Sequence, residues 1–376
     1  MDLSSLQTPA LILDQAKLDR NIKRMSSRLS QLGGVALRPH LKTVKSVDVA
    51  RRVLGPQGGP ITVSTLLEAE RFGEAGFSDI LYAVGIAPAK LDRVLALRSR
   101  GIAVSIVTDN VEAAEAVAAA ARRAGDPLPV LIEIDSDGHR AGVRPDQPDL
   151  LIAIAGALSQ GAEVHGVLTH AGGSYDARTP DELARIAAQE RDSAVACAEI
   201  LRRAGFAAPA VSVGSTPTAF SAADLSGVTE VRAGVYLFSD LVMAGIGVAS
   251  VDDIALSVLT TVIGHQRDKR WILVDAGWMA MSRDRGTANQ AVDQGYGLVC
   301  DSSGRPWPDL IMVAANQEHG ILAVRDGSSA PLPDLPVGTL LRILPNHACA
   351  TAAQFEAYEV VEGDDVVARW ARFNGW

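Results

Sequence analysis

Three groups of residues in this chain have the types and spacing to do covalent or metal chemistry. The first is Lys42, within Leu37-Arg38-Pro39-His40-Leu41-Lys42-Thr43-Val44-Lys45-Ser46. The apolar run Val35-Ala36-Leu37 before it reads as a strand, and Val47–Leu54 after it has helical apolar spacing. Lys42 is therefore expected at the carboxyl end of an early strand, where (β/α) folds place their chemistry. A lysine desolvated there has a lowered pKa and an amine able to form a Schiff base with a carbonyl. An isolated loop lysine is more often simply solvated, so the weight of Lys42 depends on its company.

The second group is Gly214-Ser215-Thr216-Pro217-Thr218, directly after the strand-like Val211-Ser212-Val213. Glycine allows close backbone approach, and Pro217 suits the first turn of a helix. Together they describe a phosphate cradle at a helix N-terminus. Gly234, in Arg232-Ala233-Gly234-Val235-Tyr236, offers a further backbone N–H after the next strand, and Tyr236 is grouped with it. Loops after the seventh and eighth strands are the usual phosphate site of a (β/α)8 barrel. A phosphorylated carbonyl cofactor held opposite an amine fits the pattern. Arg140, after the fifth strand, is a candidate for the cofactor's phenolate oxygen or a substrate carboxylate. His170 and Tyr175, after the sixth, can lie against a planar ring; a packed barrel histidine is the alternative.

The third group is His347-Ala348-Cys349. In an extended segment, soft ligands at i and i+2 point the same way and can share one metal ion. An imidazole with a thiolate suits zinc, with manganese also able to serve. His319, in Glu318-His319-Gly320 near the end of another strand, can add a ligand or a supporting partner. The bland reading of a lone His-x-Cys is a core pair.

These residues need a frame. Thr8–Asp14 reads as a strand, and Asp14 can cap the helix that follows. Apolar strands are predicted near Ala36, Ile61–Val63, Ile80–Tyr82, Val104–Val107, Val130–Ile134, Val164–Leu168, Val211–Val213 and Thr229–Arg232. Helical patterns such as Leu66–Ala75, Leu91–Arg100, Val111–Ala124 and Leu183–Ala204 run between them. The alternation predicts an N-terminal (β/α)8 barrel over 16–249. No glycine-rich dinucleotide fingerprint follows the first strand, which argues against a doubly wound sheet. From about 250 to 376 the pattern changes to strands joined by turns, at Ile254–Gly264, Trp271–Asp275, Ile311–Ala315, Leu340–Leu344, Ala357–Val361 and Val366–Phe373, predicting a C-terminal, mostly antiparallel β domain, joined by the strand in 1–15.

Composition narrows the function classes. The 376 residues suit two domains. A net charge of -9 argues against nucleic acid and anionic membrane surfaces as partners. Cys197, Cys300 and Cys349 are odd in number and far apart, which suits a reducing cytoplasm rather than a disulfide framework. The start of the chain lacks a basic n-region, so no signal peptide is expected. The apolar stretch Leu241–Ile263 contains Asp252 and Asp253, so no membrane span is expected either.

Against this background the chain resembles the fold-type III pyridoxal-phosphate enzymes, the alanine racemase-like barrel plus β-domain family. More narrowly it resembles the D-serine dehydratase and D-threonine aldolase group. The resemblance rests on Arg38-Pro39-His40-Leu41-Lys42-Thr43, Gly214–Thr218, Arg232–Tyr236 and Pro345-Asn346-His347-Ala348-Cys349, and spans nearly the whole chain. Val274–Gly286 and Asn316–Gly320 are most similar to the branch acting on D-threo-3-hydroxyaspartate. The resemblance implies that Lys42 holds pyridoxal 5'-phosphate, and that His347 and Cys349 bind one divalent metal touching the substrate's β-hydroxyl. It implies dehydration of a D-3-hydroxy amino acid, D-threo-3-hydroxyaspartate or D-serine, to a 2-oxo acid and ammonia, by a homodimer. The aldolase branch usually carries Asp where this chain has Cys349; retro-aldol cleavage is the alternative. A racemase, or a non-catalytic pyridoxal-phosphate protein, ranks below both. Arg283 and Arg285, in Ser282-Arg283-Asp284-Arg285-Gly286, are candidate partners for a second substrate carboxylate, or else members of an exposed ion-paired loop.

Overall fold

A computed structural model describes residues 2–376. The chain divides into two compact units, one of Met25–Gly234 with Gly375–Trp376, the other of the segment ending at Arg24 with Val235–Asn374. It opens with β1 (Ala10–Asp14) and α1 (Gln15–Gln31), and the first border falls inside α1. Asp14 accepts the Lys17 N–H at 2.9 Å at the start of that helix.

The Met25–Gly234 unit alternates parallel strands with helices. Its strands are β2 (Ala36–Leu37), β3 (Ile61–Val63), β4 (Asp79–Gly85), β5 (Ala103–Thr108), β6 (Pro129–Ile134), β7 (Glu163–Thr169), β8 (Ala210–Val213) and β9 (Glu230–Val231). Its helices after α1 are α2 (Val47–Leu54), α3 (Leu66–Glu74), α4 (Leu91–Ser99), α5 (Val111–Ala124), α6 (Pro148–Leu158), α7 (Pro180–Arg203) and α8 (Thr216–Ser221). Four of these helices, α3, α5, α7 and α8, start where a side-chain oxygen takes up an orphan amide: Thr65, Asn110, Thr179 and Ser215 each accept the backbone N–H three residues on. The sheet runs in the order β2-β9-β8-β7-β6-β5-β4-β3. The ring closes just past β2. There Thr62 N–H donates to the Pro39 carbonyl at 2.9 Å, and Leu41 N–H donates to the Thr62 carbonyl at 2.8 Å. The (β/α)8 barrel is as the sequence predicts. Leu81, Val107, Leu131 and Leu168, on four successive strands, pack inside it.

The second unit contains α9 (Leu241–Gly245), β10 (Leu256–Gln266), β11 (Trp271–Val274), α10 (Trp278–Met281), β12 (Leu298–Asp301), β13 (Pro306–Ala315), β14 (Gly320–Val324), β15 (Leu340–Leu344), α11 (Ala348–Ala352), β16 (Ala357–Glu362) and β17 (Asp365–Ala371). Its nine strands are ordered β11-β14-β13-β12-β15-β10-β1-β16-β17, and β10 also pairs with β11, which closes six of them into a ring. Every pairing is antiparallel except β1 with β16. Two strands, β12 and β14, were not among those the sequence predicts; both are short, and a glycine stands at or just before each start.

The border between the units falls at Gly234 rather than Ala249 because residues 235–249 bond to β-unit partners. Leu241 N–H donates to Pro345, Val242 N–H to Asn346, and Ala255 N–H to Phe238. Leu241 also packs with Ile254, Leu298, Cys300, Ile311 and Leu344. Among the described residues no helix is long and apolar enough to cross a membrane, and all three cysteines are free thiols.

Candidate active site

In the barrel unit, the strand ends frame a cavity of about 280 Å³. That is near the lower end of the ~300–1,000 Å³ of small-molecule sites. Lys42, Arg140, His170 and Gly214 line it together, so the structure gathers four of the predicted residues at one place. Lys42 lies two residues beyond the His40–Thr62 bridge that closes the barrel. Its side chain is exposed. The neighbouring Lys45 is half-buried, with its ammonium 3.2 Å from the Glu68 carboxylate.

The cavity also holds residues that sequence reasoning passed over: His40, Ser64, Glu133 and Arg232. Arg232 is buried, donating from Nη1 to Ser212 Oγ at 2.5 Å and from Nη2 to the Thr169 carbonyl at 2.6 Å. Burial pulls it down to about 10, against the fields of Glu230, Glu190 and Glu133. Burial, followed by the Lys42 charge, holds His170 down to about 3 and His40 well below the imidazole range, so both rings are neutral. His170 Nδ1–H donates to the Gly214 carbonyl at 3.1 Å, leaving Nε2 as an acceptor. Tyr175 stands beside it, ring centroids 6.1 Å apart. Burial raises Glu133, opposed by Arg140, whose Nη2 is 3.5 Å away. Glu133 could have been flagged as the one charge in an otherwise apolar strand, and His40 and Arg232 as members of motifs already singled out.

The predicted phosphate loop is built on a reciprocal cap. Ser215 Oγ accepts the Thr218 N–H, and Thr218 Oγ1 accepts the Ser215 N–H at 3.0 Å. Ser215 Oγ is also hydrogen-bonded to Ser174 at 3.0 Å. Ser215 therefore shapes the loop rather than offering its own donors. Gly214 has φ +131, and a Cβ there would meet the Arg232 carbonyl at 2.5 Å. At Gly234 a Cβ would lie 2.6 Å from the His40 carbonyl oxygen. Both glycines are required by close backbone approach. The cationic Lys42, Arg140 and Arg232, with neutral rings between them, fit an anionic, planar phosphorylated cofactor. Tyr236 belongs by its packing to the other unit, where burial raises its phenol.

In the β unit, His347 and Cys349 do come together, but not in an extended segment. His347 has extended φ/ψ and is the N-cap of α11; Cys349 lies in its first turn. The cause is Asp240, whose carboxylate accepts the Ala348 N–H at 3.0 Å while capping α9 through the Met243 N–H. His347 Nδ1–H donates to Asp284 Oδ2 at 2.6 Å. Burial pulls His347 down, but Cys349, the Asp284 hydrogen bond and Asp240 outweigh it and hold the imidazolium up to about 11. A cation is thus stabilised where the donors are soft, and a divalent metal can replace that proton. Among the described residues no three His, Cys, Asp or Glu side chains enclose a metal, so a metal here would have two protein ligands and open positions.

His319 is not part of this group. It stands exposed in the turn between β13 and β14, its carbonyl accepting the Asn316 N–H. Arg285 is taken up by Asp293 at 2.7 Å and lies 5.0 Å from the Tyr296 ring. Arg283 is exposed and stacked 4.2 Å from the Trp278 ring centroid. Asp284, between the two arginines that drew attention, is the functional candidate the sequence hid.

Two family models match in succession: the alanine racemase N-terminal domain over residues 13–241, and a putative serine dehydratase domain over 255–361. The chain belongs to the fold-type III pyridoxal-phosphate family. Within that family it is 55% identical to the D-threo-3-hydroxyaspartate dehydratase of Delftia sp. (strain HT23), covering 100% of this chain and 99% of that protein. The solved structure of that dehydratase superposes with a TM-score of 0.97 over 100% of both chains. Structures of its histidine-to-alanine mutant and of its cysteine-to-alanine mutant in the metal-free form align equally well. The D-serine dehydratase of Dictyostelium discoideum is 30% identical over 97% of this chain and 96% of its own. The D-threonine aldolase of an Arthrobacter species is 31% identical over 98% and 92%.

Proposed function

We propose that the chain is a pyridoxal-phosphate-dependent lyase that removes water from D-3-hydroxy amino acids, D-threo-3-hydroxyaspartate first among them. The observation that carries this is the His347, Cys349 and Asp284 constellation, in a chain so close to a dehydratase of that substrate. The histidine and cysteine replaced in that dehydratase's mutants stand two positions apart, as His347 and Cys349 do.

The cofactor would lie in the barrel cavity, held by Lys42, with Gly214, Thr216 and Gly234 at its phosphate, Arg140 at its phenolate edge, and His170 and Tyr175 beside its ring. When bound it supplies the electron sink for carbanion chemistry at the α-carbon. Lys42 Nζ, displaced from the cofactor by the substrate's amine, would take the α-proton, and the neutral rings of His40 and His170 would not compete as acids. His347 and Cys349 would hold a divalent cation, zinc or manganese, which supplies the Lewis acidity that hydroxide needs as a leaving group. Asp284 would orient the imidazole with Nε2 toward that cation. Arg283 would read the distal carboxylate of an aspartate-like substrate. The products are a 2-oxo acid and ammonia. Free thiols at all three cysteines suit a reducing compartment such as the cytoplasm, and sedimentation would test the expected homodimer.

The test is to incubate the purified protein with D-threo-3-hydroxyaspartate, D-serine and D-threonine, assaying 2-oxo acid, aldehyde, glyoxylate and glycine. The expected product of the first two is 2-oxo acid, and chelation should abolish it while the cofactor's visible absorbance persists. Glyoxylate and glycine from hydroxyaspartate would instead favour the aldolase reading. Full activity after exhaustive chelation would end the metal-assisted one.

A further inference from the structure

Lys42 and Lys45 share one turn, yet Lys42 lines the cavity and Lys45 does not. The Leu41 carbonyl accepts the N–H groups of both Val44, at 3.1 Å, and Lys45, at 2.8 Å. The turn ends with Lys45 at φ +43, a left-handed conformation disfavoured for any residue with a Cβ. A residue keeps such a conformation only where its surroundings enforce it.

Glu68 holds the far end of the Lys45 side chain. Its side chain is 1% exposed, and Oε1 meets Lys45 Nζ at 3.2 Å. The same carboxylate is already engaged at the start of α3: Ser64 N–H donates to Oε2 at 3.1 Å and the Thr65 hydroxyl to Oε1 at 3.2 Å, while the Glu68 N–H donates back to Thr65 Oγ1. Ser64 is itself a wall of the cavity, its hydroxyl 3.5 Å from His40 Nε2. One buried carboxylate thus ties the cavity wall after β3 to the turn after β2 that carries Lys42.

We propose that Glu68 is a positioning residue that acts through Lys45, holding the 41–45 turn so that Lys42 alone presents its amine to the cavity. The pair also keeps the Lys45 ammonium engaged and away from a carbonyl bound there. The proposal rests on Lys42 as the cofactor lysine, and its test separates the two.

The test uses the full chain, resolved of cofactor and reloaded with pyridoxal phosphate. Capture is followed by visible absorbance, and the attached lysine is fixed with borohydride and mapped by peptide analysis. Wild type and Lys45→Arg should both label Lys42. Lys45→Met should capture the cofactor on the order of tenfold more slowly, as misplacement of a reacting group does. Glu68→Gln should be slowed as well, with part of the label moved to Lys45. Should Glu68→Gln fail to fold, Lys45→Met still decides, because the α3 cap survives in it. Wild-type capture rates in Lys45→Met, or in a folded Glu68→Gln whose label stays wholly on Lys42, would overturn the proposal. A wild-type label elsewhere than Lys42 would overturn the assignment beneath it.

Discussion

At His347 a single hydrogen bond decides which ring nitrogen can meet a cation. Asp284 Oδ2 takes Nδ1–H at 2.6 Å, and Asp284 is in turn fixed by the Gly286 N–H on Oδ1 at 2.8 Å. Removing such a partner commonly costs about 10–100-fold in metal affinity. Titration calorimetry with zinc should therefore show a loss of that order in Asp284→Ala, with the visible band of the holoenzyme unchanged. Unaltered affinity would show that Asp284 has no orienting role. The neighbouring arginines differ in what they have left to give. Arg285 is committed to Asp293, whereas Arg283 lies over the Trp278 ring and is exposed. A hydrogen bond to a charged group is worth about 1.5–3 kcal/mol, or roughly 10–100-fold. Arg283→Met should lower kcat/KM by that factor for D-threo-3-hydroxyaspartate and leave D-serine nearly untouched. Equal losses on both substrates would remove Arg283 from specificity.

At the scale of elements, the seam that closes the barrel is also the start of the Lys42 turn. Gly234, after β9, packs against that seam, with no room for a Cβ beside the His40 carbonyl. Any side chain at 234 must displace His40, and with it the bridge to Thr62. Gly234→Val is therefore expected to lower both the melting temperature and cofactor retention in dialysis. Lost retention at an unchanged melting temperature would mean that phosphate contact alone, and not the seam, requires glycine. The α8 loop is stiffened differently: the Ser215–Thr218 cap settles its backbone before any ligand arrives.

For the whole molecule, the buried imidazoles link stability to pH. His40 and His170 have folded-state values below the ordinary 6.5 of imidazole, His170 at about 3. As pH falls through 6.5 the unfolded chain binds protons that the folded chain refuses, so their contribution is full above 6.5 and lost progressively below it. His347, held up to about 11, adds no slope there, being protonated in both states. Glu133, Glu190 and Asp240, raised by burial, slope the opposite way. The clean measurement is thus a difference. In the cofactor-free chain, His170→Asn should flatten the acid limb of urea stability by up to about 1.4 kcal/mol per pH unit relative to wild type. Parallel limbs would contradict a neutral buried His170.

What the sequence alone determined is what local pattern controls. The strands and helices of the barrel follow from apolar period and cap residues, and the place of Lys42 after β2 follows from them. The proximity of His347 and Cys349 follows from adjacency, although the helical turn between them does not, because the Asp240 cap lies 108 positions away. Only the tertiary structure could bring His40, Glu133 and Arg232 to one cavity, set Asp284 on His347 across 63 positions, and pair Arg285 with Asp293. It also placed β12 and β14, short segments that each lie between the neighbouring β13 and a strand distant in the chain, β15 or β11. The physical reason is common to all of these. Backbone period and capping act within a few residues, whereas the partner of a buried charge is whichever group the closed barrel or sheet brings beside it.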